Sequence, residues 1–215
     1  MSRDNYQKLL LMNFLYKIAE FIATACYIGK IKIAPGTFGS LIAFPICYII
    51  MDFSLKHQVV FYISGYNPNE QQFLSVFFIE ILATIILFFA GTYFAKIYIK
   101  DAQEQDPKEV VIDEVVGQML VIILTSFSVI FVYSSSVPQK IEAPYIDFIF
   151  LFLMPFVLFR AFDILKPWPI NWLDSNIKGA LGVMIDDVAA ALFAVVCQYV
   201  IVFLIVNFFP VVVTF

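Results

Sequence analysis

Charge is what this sequence has least of. Only 14% of its 215 residues are Asp, Glu, Lys or Arg, while 62% are hydrophobic. Soluble globular domains run at about 45–50% apolar and about 25% charged, so the surplus apolar surface requires the bilayer as a second solvent. The same figures exclude disorder, collagen-like order and a coiled coil. Basic residues are outnumbered, 13 against 17 acidic, so no nucleic-acid partner held by a basic patch is expected. Histidine is nearly missing, with His57 alone. The three cysteines, Cys26, Cys47 and Cys197, sit singly in apolar runs without a CxxC and read as small buried hydrophobes. No small-residue cleavage site follows a short apolar run, so no signal peptide is expected.

What is present is long apolar runs. A spanning helix needs about 20 predominantly apolar residues. Five candidates qualify: Leu41 to Ile63, Phe73 to Ala95, Val115 to Tyr133, Tyr145 to Phe162 and Ile185 to Phe209. Asp52 and Lys56 weaken the first; they either pair at i, i+4 or mark an early end near Met51. From Leu9 to Ile28 the apolar run is broken by Lys17 and Glu20, which suits an amphipathic helix at the membrane interface. The expected fold is all-α: a polytopic membrane helical bundle of about five spans, with residues 1–28 as an N-terminal amphipathic segment and 29–209 as one membrane domain. The mean hydropathy of +0.90 agrees with that class.

Orientation follows from Lys and Arg. Eleven of the 13 fall on one side: Arg3, Lys8, Lys17, Lys30 and Lys32 before the first span, Lys96, Lys100 and Lys108 between the second and third, and Arg160, Lys166 and Lys178 at or between the fourth and fifth. Lys56 and Lys140 fall on the other. The N-terminus and the loops 96–114 and 160–184 are therefore expected in the cytoplasm, provided the first segment crosses fully.

That topology brings three polar segments to one membrane face. The first is Gly29-Lys-Ile-Lys-Ile-Ala-Pro-Gly-Thr-Phe-Gly-Ser40, where Pro35-Gly36 marks a turn, Thr37 or Ser40 can cap a helix, and glycine leaves backbone N–H groups open to an anion. In the second, Asp106-Pro-Lys-Glu-Val-Val-Ile-Asp-Glu-Val-Val-Gly117, Asp106, Pro107 and Glu109 fit N-cap, N1 and N3. Asp113 and Glu114 would then lie about 10–12 Å along the helix. The third holds Arg160, Asp163 and Lys166 on one helical face until Pro167, followed by Asp174, Lys178 and the pair Asp186-Asp187. Adjacent carboxylates at the edge of hydrocarbon are costly unless a cation holds them. Each cluster also has a plainer use, as a helix start or as solvated helix-end acids. Together, two acidic pairs and a basic stripe suggest a cation with a bound anion; carboxylates without His or thiolate favour a hard ion such as Mg²⁺, which binds phosphate oxygens. Phosphoryl chemistry at the membrane surface is the reading that follows. Asp52 and Glu80 are assigned to pairing inside the bundle, Trp168 and Trp172 to headgroup anchoring, and the 25 Phe and 11 Tyr to packing and lipid contact.

Familiar phosphatase machinery is absent. One histidine cannot supply a phosphohistidine mechanism with a second catalytic His, no Cys precedes an Arg by six, no Asp-x-Asp is present, and neither GxGxxG nor GxxxxGK[ST] occurs. At Ala34-Pro-Gly-Thr-Phe-Gly-Ser40, Ile112-Asp-Glu-Val-Val-Gly-Gln118, and Phe159-Arg-Ala-Phe-Asp-Ile-Leu-Lys-Pro-Trp-Pro-Ile170 with Asp174 and Lys178 to Asp187, the sequence strongly resembles the bacterial phosphatidylglycerophosphatase A family. The pattern extends from Gly29 to about Ala194, leaving the N-terminal thirty residues and the loop Ser64 to Gln72 outside it. The resemblance implies a Mg²⁺-dependent hydrolase of the cytoplasmic membrane that removes the phosphomonoester of phosphatidylglycerophosphate. It assigns Asp113, Glu114, Asp186 and Asp187 to Mg²⁺, and Asp113, Glu114, Asp163 and Lys166 to catalysis. Phosphate binding goes to Gly36, Thr37, Gly39, Arg160, Lys166 and Lys178. The alternatives are a CDP-alcohol phosphotransferase, whose Asp-Gly and Ala-Arg pattern is absent, and a non-enzymatic cation transporter relying on Asp52 and Glu80.

Overall fold

Eight α-helices carry the chain in the computed structural model, which describes residues 3–102, 107–134 and 143–208. They are α1 (Arg3–Ala23), α2 (Pro35–Lys56), α3 (Pro68–Ala102), α4 (Ile112–Ser134), α5 (Ala143–Asp147), α6 (Met154–Leu165), α7 (Ile170–Asn176) and α8 (Ala180–Phe208). A π-helical stretch, Phe148–Leu153, joins α5 to α6 as one rod. There are no strands among the described residues. Five segments are long and apolar enough to cross a membrane: α2, Pro68–Lys100 in α3, Ile112–Val132 in α4, the rod Pro144–Leu165, and α8.

Burial ranks these spans. Sixty-one per cent of the α4 window is inside the protein against at most 28% for any other, so α4 is the hub on which α2, α3, α6 and α8 pack. Val115, Val116, Met119 and Ile123 form its buried face. The outer helices turn Ile86, Phe89, Val196 and Phe203 outward, as lipid-facing surfaces do. Deeper in the bundle, Gln198 of α8 donates to Ser128 Oγ at 3.1 Å and to the Phe150 carbonyl at 2.8 Å, satisfying a carbonyl in the π stretch.

Several boundaries differ from expectation. α2 starts at Pro35, so Gly36, Thr37, Gly39 and Ser40 belong to its first turns; the N-cap is Ala34, left-handed at φ 48°, and neither Thr37 nor Ser40 caps. The Ser40 hydroxyl donates to the Gly36 carbonyl at 2.9 Å instead. α2 ends at Lys56, whose ammonium lies 2.7 Å from Asp52. α3 starts at Pro68 because Asn67 and Glu70 exchange hydrogen bonds of 2.9 and 3.0 Å, a capping box within the expected loop. α4 starts at Ile112, which puts Asp113 and Glu114 in the first turn rather than two turns in. The expected cap Asp106 lies outside the described residues, as does Lys140, and Glu109 accepts a hydrogen bond from the Tyr98 hydroxyl. α8 starts five residues early, so Asp186 and Asp187 stand nearly two turns inside it. Cys47 is buried and Cys197 half-buried, but Cys26 is exposed.

α1 lies against α3, with Ala19 and Ala23 fully buried and Tyr16 stacked on Tyr98 at 5.8 Å. Leu11, Phe14 and Phe21 remain exposed. The amide of Val111 donates to the Ala23 carbonyl at 3.0 Å, tying the end of α1 to the start of α4. A Cβ on Gly29 would fall 1.9 Å from the Glu109 carbonyl oxygen, so only glycine lets these two segments meet.

Candidate active site

The N-terminal ends of α2, α4 and α8 and the C-terminal end of α6 meet around a cavity of about 350 Å³. Its walls include Gly36 and Thr37 from α2, Asp113 and Glu114 from α4, Arg160 and Asp163 from α6, Lys166, and Asp186 and Asp187 from α8. Segments separated by up to 150 residues thus share one site. Three carboxylates converge in it. One oxygen each of Asp113, Glu114 and Asp187 lie within 4.8 Å of one another. Asp113 Oδ1, Glu114 Oε2 and Asp187 Oδ2 are buried and have no hydrogen-bond partner. Three acids this close repel one another unless positive charge is supplied, so the donor set fits a hard, oxygen-binding metal ion.

Cationic side chains flank the acids. Arg160 Nη1 lies 2.5 Å from Asp163 Oδ2 and donates to Ser40 Oγ at 3.4 Å, while its buried Nε has no partner. Lys166 caps α6 in the left-handed conformation at φ 41°, where its amide still reaches the Phe162 carbonyl. Its ammonium bridges Asp186 at 2.6 Å and Asp174 at 3.1 Å. Burial by itself lowers the lysine pKa, but the hydrogen bonds and charges of Asp186 and Asp174 outweigh it and hold the ammonium above its ordinary value.

Gly36 makes the cluster possible. A Cβ there would stand 2.2 Å from Glu114 Oε1 and 3.2 Å from Arg160 Nη2, so the carboxylate occupies the space a side chain would fill. Gly117 serves packing instead, since its Cβ would meet the Phe159 ring at 2.6 Å.

The expected residues divide accordingly. Asp186 lines the cavity but gives Oδ2 to Lys166 and stands outside the convergent trio, because neighbours on a helix point about 100° apart. Gly39 does not line the cavity; it packs on Val111, 2.9 Å from where its Cβ would be. Lys178 lines a neighbouring cavity of about 300 Å³ with Asp174 and Ser175. Two residues went unassigned from sequence. Lys108 lines the cavity, and its place beside the acidic motif was the available signal. Gln118, one turn below Glu114, is fully buried with both amide atoms unpartnered; its place at the end of the Ile112–Gln118 motif was the available signal.

Fold and site together define a multi-pass helical membrane protein with a buried carboxylate cluster, suited to a metal ion, at one end of its bundle. The chain belongs to the phosphatidylglycerophosphatase A family, whose model matches residues 21–202. That match begins inside α1 and ends within α8, beyond the bounds of about Gly29 to Ala194 that the sequence motifs suggested. The chain is 28% identical over 200 residues to the phosphatidylglycerophosphatase A of Haemophilus influenzae, covering 93% of this chain and 96% of that one. It is 57% identical over 35 residues to the Escherichia coli protein of that name, covering 16% of this chain and 20% of that one. A Bacteroides thetaiotaomicron protein named "Putative phosphatidylinositol-3-phosphatase" is 29% identical over 174 residues, covering 80% and 86%. No solved structure matches the chain significantly.

Proposed function

We propose that this protein hydrolyses the phosphomonoester of phosphatidylglycerophosphate to phosphatidylglycerol and inorganic phosphate, with Mg²⁺ held by Asp113, Glu114 and Asp187. The observation that carries this reading is the trio of buried, unpartnered carboxylate oxygens beside the orphaned Arg160 Nε. Bound Mg²⁺ would supply Lewis-acid polarisation of a phosphate oxygen. Arg160 and Lys166 bind the remaining phosphate oxygens, Lys166 by exchanging part of its contact with Asp174. Asp163 fixes the Arg160 guanidinium, and Thr37 offers its hydroxyl at the rim. One carboxylate of the cluster takes the proton of the attacking water. Asp186 holds Lys166 in place. The site faces the cytoplasm of a bacterial inner membrane, which the basic bias of that end supports, and α1 lies along the interface on its exposed apolar face.

The test is phosphate release from phosphatidylglycerophosphate by protein in detergent, with Mg²⁺ and with a chelator. Lipid-dependent release that stops on chelation and returns with Mg²⁺ is expected. Asp187→Asn and Lys166→Met should each stay folded and lose about 100-fold or more in kcat/KM, roughly 2.7 kcal/mol. A folded Lys166→Met enzyme at wild-type efficiency would remove that residue from the site, and release from phosphatidylinositol-3-phosphate alone would overturn the substrate.

A further inference from the structure

Among the described residues, a larger apolar recess lies away from the carboxylates on the lipid-facing side of the bundle, where Tyr48, Met51 and Ile130 on its wall are exposed. It measures about 650 Å³ and is bounded by Phe44, Cys47 and Met51 of α2, Ile122 and Val129 of α4, and Leu151 of the π stretch. Glu80 is the one carboxylate on its wall, at the far side on α3. A polar ligand has almost nothing to bond to here.

Its position relative to the site follows from helix geometry. On α2, Gly36, Ser40, Phe44, Cys47 and Met51 form a stripe at spacings of three and four, so the face that meets Glu114 continues into the cavity wall. Along the α6 rod, Phe156 and Phe152 follow Arg160 at spacings of four and meet Phe44, which lies on the cavity wall. Phe44 and Met51 stand 8 and 15 residues beyond Gly36, about 12 to 22 Å deeper at 1.5 Å per residue. Half the hydrocarbon core of a bilayer is about 15 Å. A chain anchored by its headgroup at the carboxylates would therefore end in this cavity.

The route is not through the α2–α4 seam, where Ser40, Ala43 and Gln118 are fully buried. It runs along the furrow between α2 and α6, two helices that touch only sparsely. Phe44 fills that furrow at its own level, its ring centroid 4.4 Å from that of Phe152 and 6.4 Å from that of Phe156, so a chain reaches the recess only over these rings or by displacing them.

We propose that this cavity receives the end of one acyl chain of the substrate lipid while its terminal phosphate is at the carboxylate cluster, so that chain length is read as well as headgroup. The proposal rests on the cluster being the hydrolytic site. In a membrane the chain gains no hydrophobic energy by leaving other lipid tails, so the selection comes from packing and shape.

Two experiments decide it. Phosphatidylglycerophosphate with a diazirine at the end of one palmitoyl chain is reconstituted with the Asp113→Asn protein, which holds it unhydrolysed; phosphatidylcholine with the same chain is the control. Labelling of the peptides around Cys47 to Met51 and Ile122 to Val129, by the first lipid well above the second, is expected. Equal labelling by both, or labelling confined to outward positions such as Ile86 and Phe89, would overturn the proposal in favour of ordinary bilayer filling. Met51→Trp, and Ser126→Phe at a further residue of the cavity wall, fill the cavity and should lower the ratio of palmitoyl to hexanoyl kcat/KM by about tenfold. An unchanged ratio in both variants would also overturn it, and a folding defect is recognisable because it lowers both substrates alike. If neither substrate is hydrolysed by the wild type, the enzymatic reading fails, whereas the labelling pattern still decides this one.

Discussion

Gly36 shows how one missing side chain shapes the chemistry. Alanine is the better helix former by about 0.5–1 kcal/mol, so Gly36→Ala within α2 should leave the fold intact or slightly stabilise it. Its methyl, however, would overlap Glu114 Oε1. Moving that carboxylate opens the trio, so Mg²⁺-induced thermal stabilisation should shrink and half-maximal activation should need about tenfold more Mg²⁺, a loss near 1.4 kcal/mol. Equal Mg²⁺ dependence in the two proteins would mean that Glu114 is not in the metal set. The sequence names Asp113, Glu114, Asp186 and Asp187 as candidates and treats the two acidic pairs alike. In the structure Asp186 gives Oδ2 to Lys166, whereas Asp187 converges with Asp113 and Glu114. Which member of an adjacent pair faces the cavity depends on helix phase, and that depends on where the helix starts.

The starting points of helices are where local signals helped unevenly. Asn67-Pro68-Asn69-Glu70 and Asp106-Pro107-Lys108-Glu109 carry the same cap pattern; the first forms a capping box and starts α3, whereas α4 does not start until Ile112. At the second, Pro107 and Val110 are buried, Glu109 is engaged by Tyr98 of α3, and Val111 reaches Ala23 of α1. Tertiary partners outweigh the local cap there. No sequence pattern announces them, because they join segments far apart in the chain. The π stretch was equally illegible: its geometry accompanies the contact with Gln198 on α8. Gln198→Leu removes two donated hydrogen bonds and leaves the Phe150 carbonyl and Ser128 hydroxyl short of a partner. Measured interhelical side-chain hydrogen bonds in membranes average about 0.6 kcal/mol, so a loss of about 1 kcal/mol is expected in unfolding from detergent micelles, with kcat nearly unchanged. A large fall in kcat would place the π stretch in the site instead.

At the scale of the molecule, the number of crossings and the shared end of the polar segments were legible, because long apolar runs and the count of Lys and Arg are properties of the chain as a whole. The aromatic-necked cavity was not, since it lies between four helical segments whose lipid-facing and cavity-facing residues are chemically alike. Orientation can be checked on a cysteine-free background, which removes the exposed Cys26. Lys108→Cys and Lys178→Cys should resist an impermeant thiol reagent in intact cells and react after lysis, while Tyr62→Cys, in the 85% exposed position between α2 and α3, should react in both. Labelling of Lys108→Cys in intact cells would invert the protein.

The carboxylate trio also has a consequence for biogenesis. Asp113 and Glu114 enter the membrane with the third spanning helix, but Asp187 arrives with the fifth and last. A nascent chain released after α6 would carry Arg160 and two of the acids without Asp187. If the proposed trio holds the metal, hydrolysis begins only once α8 is delivered, and synthesis interrupted before it yields inert fragments rather than unregulated enzyme.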